Sequence, residues 1–123
     1  MEVTESELKR LIEDAGNGDR HAQGKLALMY AAGESVEVSQ SKSDGWLREV
    51  LKDDDAENLY ELGQAFRLRE LYVQSAQLFA RGVELRDERA ILLLAGQYDM
   101  GFGVEESREE SFRYLLMGAE LGN

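Results

Sequence analysis

The sequence predicts an all-α fold, a solenoid of αα-hairpins with about seven helices in about three repeats. The 123 residues contain no proline, and no stretch alternates polar and apolar residues as a half-buried strand does. The chain also matches itself when it is shifted by 68 residues. The coinciding pairs are Ala22 with Ala90, Leu26 with Leu94, Ala27 with Ala95, Tyr30 with Tyr98, Gly33 with Gly101, Val36 with Val104, Glu37 with Glu105, Ser39 with Ser107, Ser43 with Ser111, and Trp46 with Tyr114.

Capping residues and apolar spacing mark each helix in turn. The first helix is predicted over about residues 5 to 16 and the second over 20 to 32, ended by Gly33. Later helices are centred on Trp46, Leu59 to Phe66, Ala76 to Val83, Ala90 to Tyr98, and the segment that runs out at Gly122. The start signals of all seven helices, in chain order, are a capping box of Thr4 with Glu7, then Asp19, Ser39 or Ser41, Asp54 or Asp55, the loop at Arg69 and Glu70, Asp87, and a second capping box of Ser107 with Glu110.

Composition favours a cytoplasmic protein held together by packing. Hydrophobic residues make up 43% of the chain and charged residues 32%, and the chain begins with neither a basic nor an apolar leader. Cysteine is absent, so thiolate chemistry and disulfides are excluded. A net charge of −11 argues against nucleic acid as a ligand and favours a basic partner. Alternatively, the acidic charge serves solubility alone.

Catalytic and cofactor chemistry find little support. His21 is the only histidine, and no nucleophile, base and orienting acid can be assembled around it. The run Asp53-Asp54-Asp55 is interpreted as helix capping rather than a metal site. Gly101-Phe102-Gly103 lacks the lysine and the longer glycine pattern of a phosphate loop, so it is interpreted as a turn. We therefore expect no enzyme activity, no metal and no cofactor.

The order of small, aromatic and glycine residues resembles the Sel-1-like repeat, a relative of the tetratricopeptide repeat. The best match is Ala90, Leu94, Ala95, Tyr98, Gly101, Gly103, Val104, Tyr114, Ala119 and Gly122. The first repeat lacks the second loop glycine, since Ser35 stands there, and the middle repeat has the shorter Arg69-Glu70-Leu71 connection. The resemblance implies a right-handed superhelix forming one domain over 1–123, with a capping helix at 1–18 and repeats at 19–55, 56–87 and 88–123.

The resemblance also implies binding rather than catalysis, on a groove lined by the first helices of the repeats. The positions expected to face this groove are His21, Leu28, Ala31, Ala32, Tyr60, Gln64, Arg67, Leu92, Asp99 and Met100. Leu28, Tyr60, Leu92 and Met100 would either anchor a partner or complete the inter-repeat core.

A second expected surface lies on the last helix, because the sequence reaches Gly122-Asn123 without a polar capping helix. Tyr114, Leu115 and Gly118 are expected to face the first helix of the same repeat. Phe112, Leu116 and Ala119 would then line an apolar outer strip that meets a second copy or a partner. Two functions remain open: an adaptor, scaffold or regulator that binds another protein, or a small acidic immunity protein that neutralises a basic toxin. No membrane contact is expected.

Overall fold

The computed structural model describes residues 2–122, which form seven α-helices joined by loops and contain no strand. The helices are α1 (Glu5–Gly16), α2 (Arg20–Ala32), α3 (Gln40–Val50), α4 (Ala56–Leu68), α5 (Tyr72–Glu84), α6 (Glu88–Met100) and α7 (Arg108–Leu121). The predicted all-α class is confirmed. The shift of 68 residues carries α2 onto α6 residue for residue, so the sequence repeat is also a repeat of helix bounds.

Helix starts follow the capping chemistry of the sequence. The Thr4 hydroxyl accepts from the Glu7 amide while the Glu7 carboxylate accepts from the Thr4 amide, which completes the predicted capping box. Asp19, Ser39, Asp55 and Asp87 cap α2, α3, α4 and α6 through their side chains.

The second predicted capping box is half formed. The Ser107 hydroxyl accepts from the Glu110 amide, as expected. However, the Glu110 carboxylate is bound by Arg113, and the Ser107 amide donates to the Tyr98 carbonyl at 2.8 Å. Both partners of the missing bond are therefore engaged elsewhere.

Two compact units divide the chain, Met1–Asp53 and Asp54–Asn123. In the first, α1 and α3 both pack against α2. Its core contains Leu26, Met29 and Tyr30, with Leu11 and Trp46 packed at the edge. The second unit contains α4 to α7, with α5 between α4 and α6 and with α7 against α6. Its core is built on Ala76, Phe79, Ala90 and Leu94.

The loops after α2 and α6 repeat the same backbone. Gly33 and Gly101 have φ/ψ of 72°/33° and 71°/32°, the left-handed conformation that ends a helix with little cost in glycine. Two residues later Ser35 and Gly103 are also left-handed, with φ of 65° and 75°. Ser35 adopts this left-handed conformation although it is not glycine, and its hydroxyl accepts a hydrogen bond from the Val3 amide at 2.9 Å.

Tyr98, the ring that the 68-residue shift pairs with Tyr30, is not fully buried. It is half-buried and stacks on Tyr114, with ring centroids 5.6 Å apart. Its equivalent Tyr30 is 8% exposed. The ring at this repeat position is thus a core residue in the first unit and a core-edge residue in the second.

Candidate functional site

A pocket of about 250 Å³ opens in the second unit, on the side of α6 that faces α4 and the first residue of α5. Leu92, Leu93, Gly96, Gln97 and Met100 of α6 form one wall. Arg67 of α4, Tyr72 of α5 and Phe102 of the following loop complete the lining. Leu92 is 57% exposed and Met100 is 59% exposed, so two large apolar side chains of the same pocket wall are accessible to solvent. The pocket therefore combines apolar contact area with one cation.

The rim of the pocket is held by a buried amide. The Gln97 side chain donates to the Tyr72 carbonyl at 3.2 Å and to the Phe102 carbonyl at 2.9 Å, and it accepts from the Ser75 hydroxyl at 3.2 Å. The Tyr72 and Phe102 rings stack with centroids 4.7 Å apart. A Cβ at Gly103 would collide with the Tyr72 carbonyl, so glycine is needed for this approach. These contacts fix the aromatic edge relative to α6.

The cation is positioned by a hydrogen-bonded chain along α4. Arg67 Nε donates to Gln64 Oε1 at 2.8 Å, and Gln64 Nε2 donates to the Tyr60 hydroxyl at 3.2 Å. The Tyr60 ring is itself covered, because the Arg89 guanidinium lies 4.2 Å from its centroid and Phe79 packs beside it. Tyr60 thus belongs to the edge of the core and holds Gln64, while Arg67 reaches the pocket.

Gly96 creates the space inside the pocket. A Cβ built on it meets nothing within 4 Å outside its own helix turn, and the residue is exposed. The equivalent position in the first unit, 68 residues earlier, is the half-buried Leu28. A leucine in one unit and a glycine in the other is the sequence signal that could have located this pocket. The aromatic rim of Tyr72 and Phe102 carries no such signal, since Phe102 was interpreted only as part of a turn.

Three of the residues expected in the groove, Arg67, Leu92 and Met100, come together in this pocket. Asp99 is exposed on α6 and does not line the pocket. Gln64 does not line it either, but accepts a hydrogen bond from Arg67. Leu28 lies in the first unit, where His21 is exposed and Ala31 and Ala32 are half-buried.

The expected strip on α7 is exposed and wider than predicted. Phe112 is 65% exposed and Leu116 51%. Leu115, expected to face α6, is 45% exposed and therefore adds to the exposed apolar strip. Tyr114 and Gly118 do face α6: Tyr114 stacks on Tyr98, and a Cβ at Gly118 would lie 3.4 Å from Ile91.

Most of the described ion pairs lie on exposed helix surfaces and involve no residue that lines the pocket. Arg113 donates to Glu110 at 2.6 Å, which lowers the pKa of that carboxyl, and Lys52 does the same for Glu49 at 2.8 Å. Hydrogen bonds to Asp87 and then to Glu57 raise the pKa of Arg89. These are surface contacts that contribute little each.

Within residues 2–122, no three His, Asp or Glu side chains group as metal ligands, and none of the helices is both long and apolar enough to cross a bilayer. In the aspartate run, Asp55 caps α4, which supports the capping interpretation for that residue, whereas Asp54 pairs with Arg81 at 2.8 Å.

Comparison with known proteins identifies the fold. No protein-family model matches the chain, and no curated protein matches its sequence. Among solved structures, a Sel1 repeat protein from Oxalobacter formigenes is similar at 24% identity with a TM-score of 0.56, over 96% of this chain and 50% of that one. A protective antigen of uropathogenic Escherichia coli strains that displays an SLR fold is similar at 23% identity with a TM-score of 0.57, over 94% of this chain and 26% of that one.

The chain therefore has the Sel1-like repeat fold, an α-helical solenoid architecture, as the sequence predicted. It spans about half the length of the first of these proteins and about a quarter of the second.

Proposed function

We propose that the chain is a non-enzymatic protein-interaction module, an adaptor, scaffold or regulator that binds a segment of a partner protein. The pocket around Gly96 is the observation that carries the proposal. Leu92, Met100 and Phe102 leave apolar area exposed beside an arginine, the combination from which binding hot spots are built. The fold supports this choice, because solenoids of helical hairpins present extended surfaces that bind other proteins.

Capture from a lysate of the native host, followed by calorimetry with the purified partner, tests this function. Leu92→Asp places a carboxylate in the apolar wall and is expected to weaken binding more than tenfold. Val38→Asp is the matched control, because Val38 is 66% exposed and does not line the pocket. Equal affinity of Leu92→Asp and wild type would exclude the pocket as the binding site.

A second function, an acidic inhibitor of a basic toxin, is favoured by the net charge of −11. An immunity protein of this kind covers the active site of its toxin directly and needs no catalytic residues. Co-expression with a candidate toxin encoded beside this chain would test it. Survival of the host only when the chain is present supports inhibition, and equal toxicity with and without it contradicts this function.

The α7 strip is proposed as a second contact surface, for a second copy of the chain. Phe112, Leu115 and Leu116 form the exposed apolar strip on this helix, and a symmetric dimer would cover the strip on both copies at once.

A further inference from the structure

Arg67 is a half-buried cation, and no ion pair with a carboxylate is described for it among residues 2–122. The hydrogen bond described for its side chain runs from Nε to Gln64 Oε1. By contrast, the half-buried Arg81 pairs with two carboxylates, Asp54 at 2.8 Å and Glu84 at 3.2 Å. A partly desolvated charge gains most from an anion brought to it, because fewer water molecules compete for the contact.

The space beside Arg67 is maintained by a residue that disfavours the helix. Glycine is the poorest helix former after proline, and no close contact among residues 2–122 requires it at position 96. The equivalent Leu28 shows that a leucine fits this repeat position in the first unit. Gly96 therefore leaves room for a side chain that residues 2–122 do not supply.

The size of the pocket limits what can enter. About 250 Å³ is below the roughly 300–1,000 Å³ of pockets that enclose drug-sized ligands, and it suits one large side chain. The wall formed by Leu92, Met100 and Phe102 is apolar, so the entering side chain is apolar too.

We propose that this pocket binds a segment of a partner protein in which a large apolar side chain is flanked by Asp or Glu. The apolar side chain fills the space over Gly96, and the neighbouring carboxylate accepts hydrogen bonds from the guanidinium of Arg67. This assignment rests on the proposed protein-binding function and specifies the chemistry that the site recognises. The charge of −11 disfavours acidic proteins at long range, so selection depends on the short-range contact with Arg67.

Capped pentapeptides titrated into the isotope-labelled chain test the assignment by amide chemical shifts. Ser-Asp-Phe-Asp-Ser is expected to shift the amides of Leu92, Gly96 and Phe102. Ser-Asn-Phe-Asn-Ser removes the charge and is expected to bind about tenfold more weakly, because a charge-assisted hydrogen bond is lost. Ser-Asp-Ala-Asp-Ser removes the apolar side chain and is expected to lose binding.

Two variants connect binding to the named residues. Gly96→Leu introduces the residue of the first unit and fills the pocket, so it is expected to abolish the peptide-induced shifts. Arg67→Gln is expected to bind the Asp and Asn peptides equally. Arg108→Gln, an exposed position at the start of α7, is the matched control and is expected to bind as wild type does. A thermal melt of each variant verifies that it is folded.

Several results would overturn the assignment. These are no shift with any peptide, equal affinity of wild type for the Asp and Asn peptides, or binding that survives Gly96→Leu. The peptide Ser-Asn-Phe with a free carboxyl terminus is a further comparison. If it binds more tightly than the capped Asp peptide, the anion that Arg67 recognises is a chain terminus and not an acidic side chain. The two proposals can fail separately. A partner that is lost by Leu92→Asp but retained by Arg67→Gln supports protein binding at the pocket and rejects the acidic segment, whereas a partner retained by Leu92→Asp rejects binding at the pocket.

Discussion

Gly63 of α4 lies directly against the ring of Phe79 in α5. A Cβ built on Gly63 would be 2.5 Å from Phe79 Cε1, much closer than two carbons approach without a bond. Phe79 has no exposed surface, so its ring has no solvent space into which it can turn. The glycine is therefore the residue that lets these two helices pack at their observed distance.

Gly63→Ala is expected to destabilise the fold, although alanine is the better helix former. Overpacking against Phe79 costs about 1–3 kcal/mol, which offsets the gain of up to about 1 kcal/mol from helix propensity. Denaturant unfolding followed by circular dichroism measures the change. Gly96→Ala is the matched control: outside its own helix turn, no atom of residues 2–122 lies within 4 Å of the new Cβ, so it is expected to stabilise by about 0.5–1 kcal/mol. Stabilisation by both substitutions would contradict this account of the α4–α5 contact.

Helix positions could be predicted from the sequence because capping is local. The hydroxyl or carboxylate that accepts the first free amides lies within three residues of them, as at Thr4 and Asp19. The exception at Ser107 arose because Arg113, also nearby, competes for the Glu110 carboxylate.

Burial was predicted less well than helix position, because it depends on what lies beside each helix. Leu47 and Leu115 occupy the same repeat position and are the same residue, yet they are 4% and 45% exposed. The pocket shows the same limit. Arg67, Leu92 and Met100 could be selected from helix faces, whereas the stacking of Tyr72 on Phe102 depends on the buried hydrogen bonds of Gln97.

Alkaline pH is expected to weaken the fold through Tyr98. Burial, and then the neighbouring Tyr114, raise the pKa of the Tyr98 hydroxyl. Above about pH 10 the unfolded chain releases this proton while the folded chain retains it, so the free energy of unfolding falls as pH rises through the folded pKa. Tyr98→Phe removes the group. The difference in unfolding free energy between wild type and Tyr98→Phe is expected to stay constant from pH 7 to 9 and to move in favour of the variant above pH 10. A constant difference up to pH 11 would show that Tyr98 titrates normally.

Salt is expected to slow association if the physiological partner is basic. The screening length falls from about 30 Å at 0.01 M salt to about 10 Å at 0.1 M, so the attraction exerted by the −11 charge is lost progressively. Stopped-flow fluorescence with the purified partner measures the association rate constant across this range. A rate that does not change with salt would leave the acidic charge as a solubility feature and count against the inhibitor function.

Leu116→Glu is expected to convert a dimer to a monomer if the α7 strip joins two copies. A charge in the centre of a buried apolar contact is costly, whereas on a solvated helix face it is tolerated. Arg48→Glu is the matched control, because Arg48 is the exposed equivalent of Leu116 in α3. Light scattering measures the mass, and far-ultraviolet circular dichroism verifies that helix content is kept. A wild-type chain that is monomeric at every concentration tested contradicts the homodimer. In that case, equal partner binding by Leu116→Glu and wild type would also exclude the strip as a partner surface and leave the pocket around Gly96 as the candidate.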